Sequence, residues 1–335
     1  MPRMTAMLAF FFIMLSSASC FAWGAKGHLA VGAIADVNLN PHALSMVASL
    51  IGMSLEQAGP WLDCVKDVKG TKGSLHYVED TRYAEGCSVF WDQEGPSEKA
   101  IEAFADKNWN NCSVSSGSNP CASQYHFADV DISTSAPSYS LGEPGTNDHD
   151  VVQTIDAAID VLQGKSPPPP FDATTTKKEA LLMLAHLVGD LHQPLHVGAI
   201  YLEQDGHETH ATTGDDADPA FTRGGNWMFA GSKNIHALWD NVSDATVTKA
   251  KSIPVSSISA TPGQITDWPR TWATETIKVA KPNLEQLKIN PESAPHHWPT
   301  EEAAAGFERH IANIQATQLA AAGYHFAELL NSIWP

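Results

Sequence analysis

The apolar residues of this chain recur mostly at helical spacing, so the pattern predicts a mainly α-helical protein. Apolar positions follow one another every three or four residues in several segments, and strand-like alternation is almost absent. Predicted helices cover residues 23–37, 41–50, 54–66, 97–109, 151–162, 177 to about 194, 236–240 and 264–279, followed by an alanine-rich helix pair within 301–330. The chain has no internal repeat and no clear boundary, so we predict a single domain over residues 23–335.

One predicted helix is almost entirely apolar and still carries ionisable residues. His186 and Asp190 are four residues apart and therefore share one helical face. Gly189 lets a second segment pass close by, and Pro194 should kink or end the helix and re-aim His196. Buried imidazoles and carboxylates are costly unless they are paired, and a zinc ion is a suitable partner. The alternative is a polar helix end without a ligand role.

The same spacing of imidazole and carboxylate occurs again downstream. His236 and Asp240 lie on a short predicted helix that follows a Gly-Gly-Asn sequence. A capped surface helix that binds no metal is the alternative interpretation. Further clusters combine aromatic and ionisable residues: Trp61-Leu-Asp63-Cys-Val-Lys66, Tyr125-His126-Phe127-Ala-Asp129, and Trp23 with His28.

The first residues have the features of a secretory signal over residues 1–22. An apolar run from Met7 to Leu15 is too short to cross a bilayer, and small residues follow up to Ala22. Cleavage after Ala22 would make Trp23 the first residue of a secreted or periplasmic product. Its α-amine and carbonyl would then be available as metal ligands.

Four cysteines remain after such a cleavage. An even number in an exported chain favours two disulfides, and three pairings are possible. The most local pair is Cys112 with Cys121, which would leave Cys64 with Cys87. The sequence alone leaves the pairing open.

The charge of the chain limits its partners. The formal net charge is −18, and an acidic loop covers about 198–223, so polyanions are repelled at long range and no basic groove for duplex DNA is expected. This argues against a nucleic-acid substrate, unless bound cations such as Zn²⁺ reverse the local field. Fifteen histidines and ten tryptophans in one chain fit a metal-rich helical enzyme better than a scaffold.

Taken together, these motifs resemble those of the zinc-dependent single-strand-specific nucleases, the class I nuclease/3′-nucleotidase family (nuclease S1/P1 type). The similarity runs in order from Trp23 to about residue 242 and continues more weakly near the C-terminus. The specific part is the His-x3-Asp-x5-His motif combined with His236 and Asp240, whereas the Trp-x-Asp element alone is weak. The resemblance implies the mainly α-helical fold that this family shares with zinc-dependent phospholipase C.

The resemblance also implies three zinc ions and a ligand set. By this resemblance, Asp63, His126, His186 and Asp190 hold one ion; Asp190, His28 and the amine and carbonyl of Trp23 hold a second; and His196, His236 and Asp240 hold the third. Asp190 would thus bridge two ions. No protein partner is evident in the sequence.

The implied reaction is hydrolysis of phosphodiesters in single-stranded DNA or RNA to products with 5′-phosphates, and also of 3′-nucleotides. Single-strand preference follows if a base must stack on Phe127 while the phosphate enters a cleft. The catalytic residues implied are Asp63, Lys66 and Asp190, and the substrate-binding residues implied are Lys66, Phe127, Asp129 and Asn241.

Two of these ligand positions have rivals. His76 lies thirteen residues after Asp63, near the distance usual in the family. His126 is preferred because it is followed by the Phe-x-Asp pattern, and residues 70–125 are then an insertion. Asp67 is a lesser rival of Asp63, since it lacks the tryptophan two residues earlier.

Two other functions fit part of the pattern. A zinc-dependent phospholipase C would share nearly every ligand, but it is expected to carry Glu in place of Asp240 and to lack the Gly-Gly-Asn sequence. A non-catalytic exported zinc-binding protein is expected to use flexible histidine-rich tracts, whereas these histidines lie at fixed helical spacings.

Overall fold

The protein is mainly α-helical, as the sequence predicts. The structure is a computed structural model that describes residues 23–78, 84–90, 98–108, 124–301 and 305–335. The predicted signal at residues 1–22 and the predicted pair Cys112–Cys121 lie outside the described residues. The predictions of a single domain and of an insertion at 70–125 remain predictions.

Short strands connect the helices of the described chain. The helices are α1 Ala25–Asp36, α2 Pro41–Ile51, α3 Leu55–Ala58, α4 Trp61–Val65, α5 Ala84–Cys87, α6 Glu98–Lys107, α7 Val151–Gln163, α8 Lys177–Leu191, α9 Ile235–Asp240, α10 Asp244–Ser252, α11 Trp268–Leu284 and α12 Ala305–Ile333. The strands are β1 Val68–Thr71, β2 Ser74–Tyr77, β3 Val130–Asp131, β4 Gly198–Ala199, β5 Tyr201–Leu202, β6 Glu208–Thr209, β7 Met228–Ala230, β8 Lys233–Asn234 and β9 Trp298–Pro299.

Helix α8 is the centre of the fold. Every residue from Ala180 to Leu191 is buried, and α1, α2, α4, α7 and α12 all pack against this helix. A helix that is apolar on all sides is stable in water only when other elements cover it completely. The long helix α12 also holds the end of α8, because Gln318 donates a hydrogen bond of 2.9 Å to the carbonyl of His192.

Several predicted helix ends are confirmed by local chemistry, whereas the helix predicted over 264–279 begins at Trp268 and ends at Leu284. Helices α2 and α7 end at Gly52 and Gly164, whose φ angles of 71° and 75° are left-handed. The capping box predicted at Ser54 is present. Pro194 begins a short 3-10 helix that ends at His196, so the predicted break after α8 is confirmed.

Other predicted elements were wrong. The helix predicted over 54–66 is two short helices, α3 and α4, separated by Gly59-Pro60, because proline cannot donate the hydrogen bond that would continue α3. The predicted C-terminal pair is one helix, α12, since the segment contains no proline and Gly323 packs against Ile34 of α1. The sequence analysis also missed helix α10 and the β1–β2 hairpin.

The small sheets fix loops next to α8. Strand β3 pairs in parallel with β4, and Ala128 donates a hydrogen bond of 2.8 Å to the carbonyl of His196. This pairing brings the segment around His126 against the segment that follows α8. The β7 strand lies between β8 and β9, antiparallel to the first and parallel to the second.

One disulfide joins α4 to α5. Cys64 and Cys87 are bonded, with Cα atoms 5.7 Å apart, and both residues are buried. This confirms one of the two predicted pairs. In the described part of the chain, none of the helices combines the length and the apolar character that crossing a bilayer requires.

Helices α1 and α3 are in close contact at Gly32. A β-carbon on Gly32 would overlap the backbone carbonyl of Leu55. The side chain of Asp36, at the end of α1, accepts hydrogen bonds of 3.0 Å from the backbone N–H groups of Leu55 and Glu56. The end of α1 therefore caps the start of α3, and only glycine at position 32 leaves room for this approach.

The Gly32→Ala variant tests this contact. Helix propensity alone favours alanine by about 1 kcal/mol, but overpacking a filled site costs about 1–3 kcal/mol, and the backbone of Leu55 cannot move aside like a flexible side chain. We expect a net loss of about 2 kcal/mol in the free energy of unfolding in urea, with zinc present. Ser45→Ala, at an exposed position of α2, should change it by less than about 0.5 kcal/mol. A more stable Gly32→Ala protein would contradict the contact.

Candidate metal centre

Asp190, on α8, lies at the centre of a buried cluster of histidines. One carboxylate oxygen is 2.9 Å from Nδ1 of His126 and 3.2 Å from Nε2 of His186. The other oxygen is 3.4 Å from Nε2 of His28 and 3.9 Å from Nδ1 of His196. The two oxygens thus face different groups of imidazoles, which is the arrangement that a bridging carboxylate requires.

The start of α1 forms one wall of this cluster. His28 and Trp23 are fully buried, and the Trp23 indole donates a hydrogen bond of 2.8 Å to the carbonyl of Gly189. A β-carbon on Gly189 would lie 3.0 Å from His28 and 3.7 Å from Trp23, so the predicted close passage at this glycine is confirmed. The Gly24 N–H donates a hydrogen bond of 3.1 Å to the carbonyl of Asp240.

Helix α4 contributes Asp63 and, one residue beyond its end, Lys66. Oδ1 of Asp63 is 2.8 Å from the Lys66 ammonium and 3.7 Å from Nε2 of His186. Burial alone would raise the pKa of Asp63, but the charges of Lys66 and His186 outweigh this effect and lower the pKa to about 2. Asp63 is therefore a carboxylate, and Lys66 places a cation beside it. The rival Asp67 is buried but lies outside the groups that could hold a metal among the described residues.

The structure brings His126, and not His76, to the cluster. His126 is buried, and with His186 and Asp190 it forms a group that could hold a metal ion. His76 is exposed on β2, where it pairs with Lys69 of β1. The hairpin itself places His76 on the surface, whereas the β3–β4 pairing brings His126 inward.

A second group lies at the end of α8 and on α9. Nε2 of His236 is 3.2 Å from Nε2 of His196 and 3.3 Å from Oδ2 of Asp240. All three residues are buried and could hold one metal ion. Gln193 donates a hydrogen bond of 2.7 Å to Oδ1 of Asp240, so the end of α8 positions a carboxylate of α9.

Backbone carbonyls orient three of the imidazoles. Nδ1 of His186, His196 and His236 each lies 2.7 Å from a carbonyl oxygen, and these oxygens belong to Gly59, His126 and Gly224 respectively. A proton on Nδ1 leaves Nε2 as a lone-pair donor, which is the tautomer that metal ligation needs. Gly224 is the first residue of the Gly-Gly-Asn sequence, so this motif supplies the carbonyl that orients the His236 ring.

The donor set fits zinc. Burial lowers the pKa of His28, and burial together with Lys66 lowers the pKa of His126 to about 3, so both rings are neutral at neutral pH. Within the described residues, no group hydrogen-bonds to the ring nitrogens of His28 or to Nε2 of His126, although these atoms are buried. Such atoms are costly to bury, and neutral imidazoles beside carboxylates are ligands that zinc prefers.

The residues predicted to bind substrate lie around these groups. Phe127 is half-buried, and Asp129 is buried next to Gly224, close to His236. Burial raises the pKa of Asp129 to about 7, although His236 and Arg223 oppose this shift. Asn241 is exposed just beyond α9. Their roles in binding remain predictions, as do the roles of the metal ligands and of Lys66.

The sequence analysis missed Gln193 and the carbonyl of Gly59 as parts of this site. Gln193 is fully buried within an apolar segment, and a buried amide needs hydrogen-bond partners, which is a usable signal. The role of Gly59 depends on a contact between α8 and the turn that joins α3 to α4. Nothing in the local sequence indicates that contact.

Comparison with known proteins finds a family model that matches this chain. Residues 23–107 and 104–335 match the family model described as S1/P1 Nuclease. Endonuclease 4 of Arabidopsis thaliana is 29% identical to this chain over 126 residues, which make up 37% of this chain and 34% of that protein. The chain thus matches about a third of the length of this curated relative.

A pair of variants tests the choice between His126 and His76. We expect His126→Ala to lose about one equivalent of bound zinc and to unfold at a lower temperature, because a buried ligand is removed. His76→Ala should retain the zinc content and the unfolding temperature of the parent. The measurements are metal analysis by mass spectrometry and thermal unfolding by circular dichroism. The reverse result would assign the ligand to His76.

Proposed function

The chain belongs to the S1/P1 nuclease family, and from this premise we propose that it is a zinc-dependent nuclease. Its substrates would be single-stranded DNA and RNA, which it would hydrolyse to products with 5′-phosphates, and also 3′-nucleotides. The observation that carries the proposal is the buried cluster around Asp190, in which Asp63 and the imidazoles of His28, His126 and His186 converge.

The metal ligands proposed are the residues of the three buried groups, together with the start of the mature chain. The three groups are His28 with Asp63 and His186, His126 with His186 and Asp190, and His196 with His236 and Asp240. By the family resemblance, His126, His186, Asp63 and Asp190 would hold one ion; His28, Asp190 and the backbone of Trp23 a second; and His196, His236 and Asp240 a third. Zinc ions bound in this way would lower the pKa of water and neutralise phosphate charge. The number of ions and the participation of the Trp23 amine are proposals.

The remaining residues would bind and orient the substrate. The Lys66 ammonium lies 2.8 Å from Oδ1 of Asp63 and its side chain is 14% exposed, so it would bind an oxygen of a phosphate held at the cluster. Phe127 offers a half-buried ring for stacking a base, and Asp129 offers a carboxyl group to the edge of that base. A duplex keeps its bases paired and could not present one in this way, which accounts for single-strand preference.

Two observations favour this function over its rivals. Position 240 is aspartate, whereas a zinc-dependent phospholipase C is expected to carry glutamate there, and Gly224 of the Gly-Gly-Asn sequence supports His236. The histidines of the cluster are fixed by carbonyl hydrogen bonds, which a flexible zinc-scavenging protein would not need. We further propose export, with cleavage between Ala22 and Trp23.

A substrate panel tests the proposed activity. We expect the purified zinc-loaded protein to hydrolyse single-stranded DNA, RNA and 3′-AMP and to leave phosphatidylcholine intact. A chelator should abolish turnover, and added zinc should restore it, because the ligands are protein side chains. Turnover of the lipid alone would favour a phospholipase. Tightly held zinc without any turnover would favour a zinc-binding protein.

An N-terminal extension tests the role of Trp23. Adding one alanine before Trp23 moves the α-amine away from His28 and Asp190, so we expect the loss of about one zinc equivalent and of most activity. The matched control carries one alanine after Pro335. Metal analysis, Edman sequencing and the DNA assay provide the readouts. An extended protein with full zinc content and full activity would remove the amine from the ligand set.

A further inference from the structure

A partly exposed cluster of rings lies beside the metal centre. The ring centroids of Trp227 and His296 are 4.1 Å apart, with the ring planes tilted by 33°, and the guanidinium carbon of Arg223 is 5.9 Å from the centroid of the same indole. His296 is exposed, whereas Arg223 and Trp227 are half-buried. We name these three residues the Trp227 platform. None of them belongs to the metal groups found among the described residues.

The backbone is strained on both sides of Trp227. Among the described residues, the only ones other than glycine with a left-handed φ are Arg223 at 55° and His296 at 59°. Residues with a β-carbon rarely adopt this conformation, and they retain it mainly where function needs a particular geometry. The two residues are far apart in sequence, yet both contact Trp227. A carboxylate oxygen of Glu292 accepts a hydrogen bond of 2.5 Å from the His296 N–H and helps to hold it there.

The platform is continuous with the metal centre. Arg223 precedes Gly224, whose carbonyl lies 2.7 Å from Nδ1 of His236. A series of ring contacts also connects the platform to Asp129. The ring centroids of Trp227 and Phe221 are 5.8 Å apart, and those of Phe221 and Tyr201, which are stacked, are 5.9 Å apart. The Tyr201 hydroxyl then donates a hydrogen bond to the carbonyl of Asp129. Two further rings therefore separate the platform from Asp129.

We propose that the Trp227 platform binds a nucleotide that flanks the scissile bond in a single-stranded substrate. The base stacks on the outer face of His296 and so adds a third ring to the Trp227–His296 pair, while the Arg223 guanidinium binds a phosphate of the same strand. This inference rests on the proposed nuclease function. The net charge of −18 makes short-range contacts necessary, because the protein as a whole repels a polyanion.

Two variants test the platform without removing Trp227, which also packs against the core. His296→Asn removes the ring and Arg223→Asn removes the charge, and asparagine tolerates the left-handed backbone at both positions. We expect each variant to lower kcat/KM for a long oligothymidylate by about tenfold, because stacking and phosphate contacts are lost. Hydrolysis of the 3′-mononucleotide by His296→Asn should change by less than about twofold, because Phe221 and Tyr201 lie between this ring pair and Asp129. His42→Asn, at an exposed position on α2, is the matched control and should leave both substrates unaffected.

The results distinguish the platform from the nuclease function itself. Binding of a fluorescent phosphorothioate oligonucleotide, measured by anisotropy with zinc present, should weaken in both variants and not in the control. If the parent cleaves oligonucleotides and both variants match it, or lose both substrates equally, the platform proposal is wrong. A parent protein that neither binds the analogue nor cleaves any nucleotide would instead overturn the nuclease function, and the platform proposal with it.

Discussion

The burial of Asp190 is the constraint on which the rest of the structure depends. A fully buried carboxylate is strongly disfavoured as an ion unless positive charge or hydrogen-bond donors surround it. Burial raises the pKa of Asp190, but His186, His196 and His126 offset this effect and hold it well below its ordinary value. Asp63 adds a second buried negative charge a short distance away. Divalent cations would balance this charge at the lowest cost, and the imidazoles would complete their coordination once any proton on the ligating nitrogen is released.

The fold supplies this cluster from segments that are distant in sequence. Helix α8 carries His186 and Asp190, and the segments that bring the remaining side chains are held to it by backbone contacts. Glycine also permits a close contact between two of these segments, since a β-carbon on Gly59 would lie 2.6 Å from the carbonyl oxygen of His28. Helix α12 fixes the far side, where Gln315 donates a hydrogen bond of 2.7 Å to the carbonyl of Trp239, one residue before Asp240. The backbone therefore orients the site as much as the side chains do.

Local features of the sequence were sufficient for much of the fold. The four-residue spacing placed His186 and Asp190 on one face, and Pro194 marked the break before His196. Periodicity could not show that the segment around His126 lies against α8, because that contact depends on the long-range pairing of β3 with β4. The resemblance to a family supplied it instead. The single C-terminal helix was missed because its alanine-rich sequence gives no clear end signal, and its length is set by packing on α1.

The site combines two surfaces with different physical demands. At the metal centre, full burial strengthens every electrostatic interaction and fixes each imidazole, so a change of one atom there affects several partners. The Trp227 platform is partly exposed, and stacking retains its value in water because it depends on surface contact more than on charge. An acidic protein cannot attract a nucleic acid at long range, so its affinity for a strand must come from contacts of this second kind. The left-handed backbone at Arg223 and His296 holds a guanidinium and an imidazole against one indole. This platform lies beside a metal centre that would act on a single phosphate.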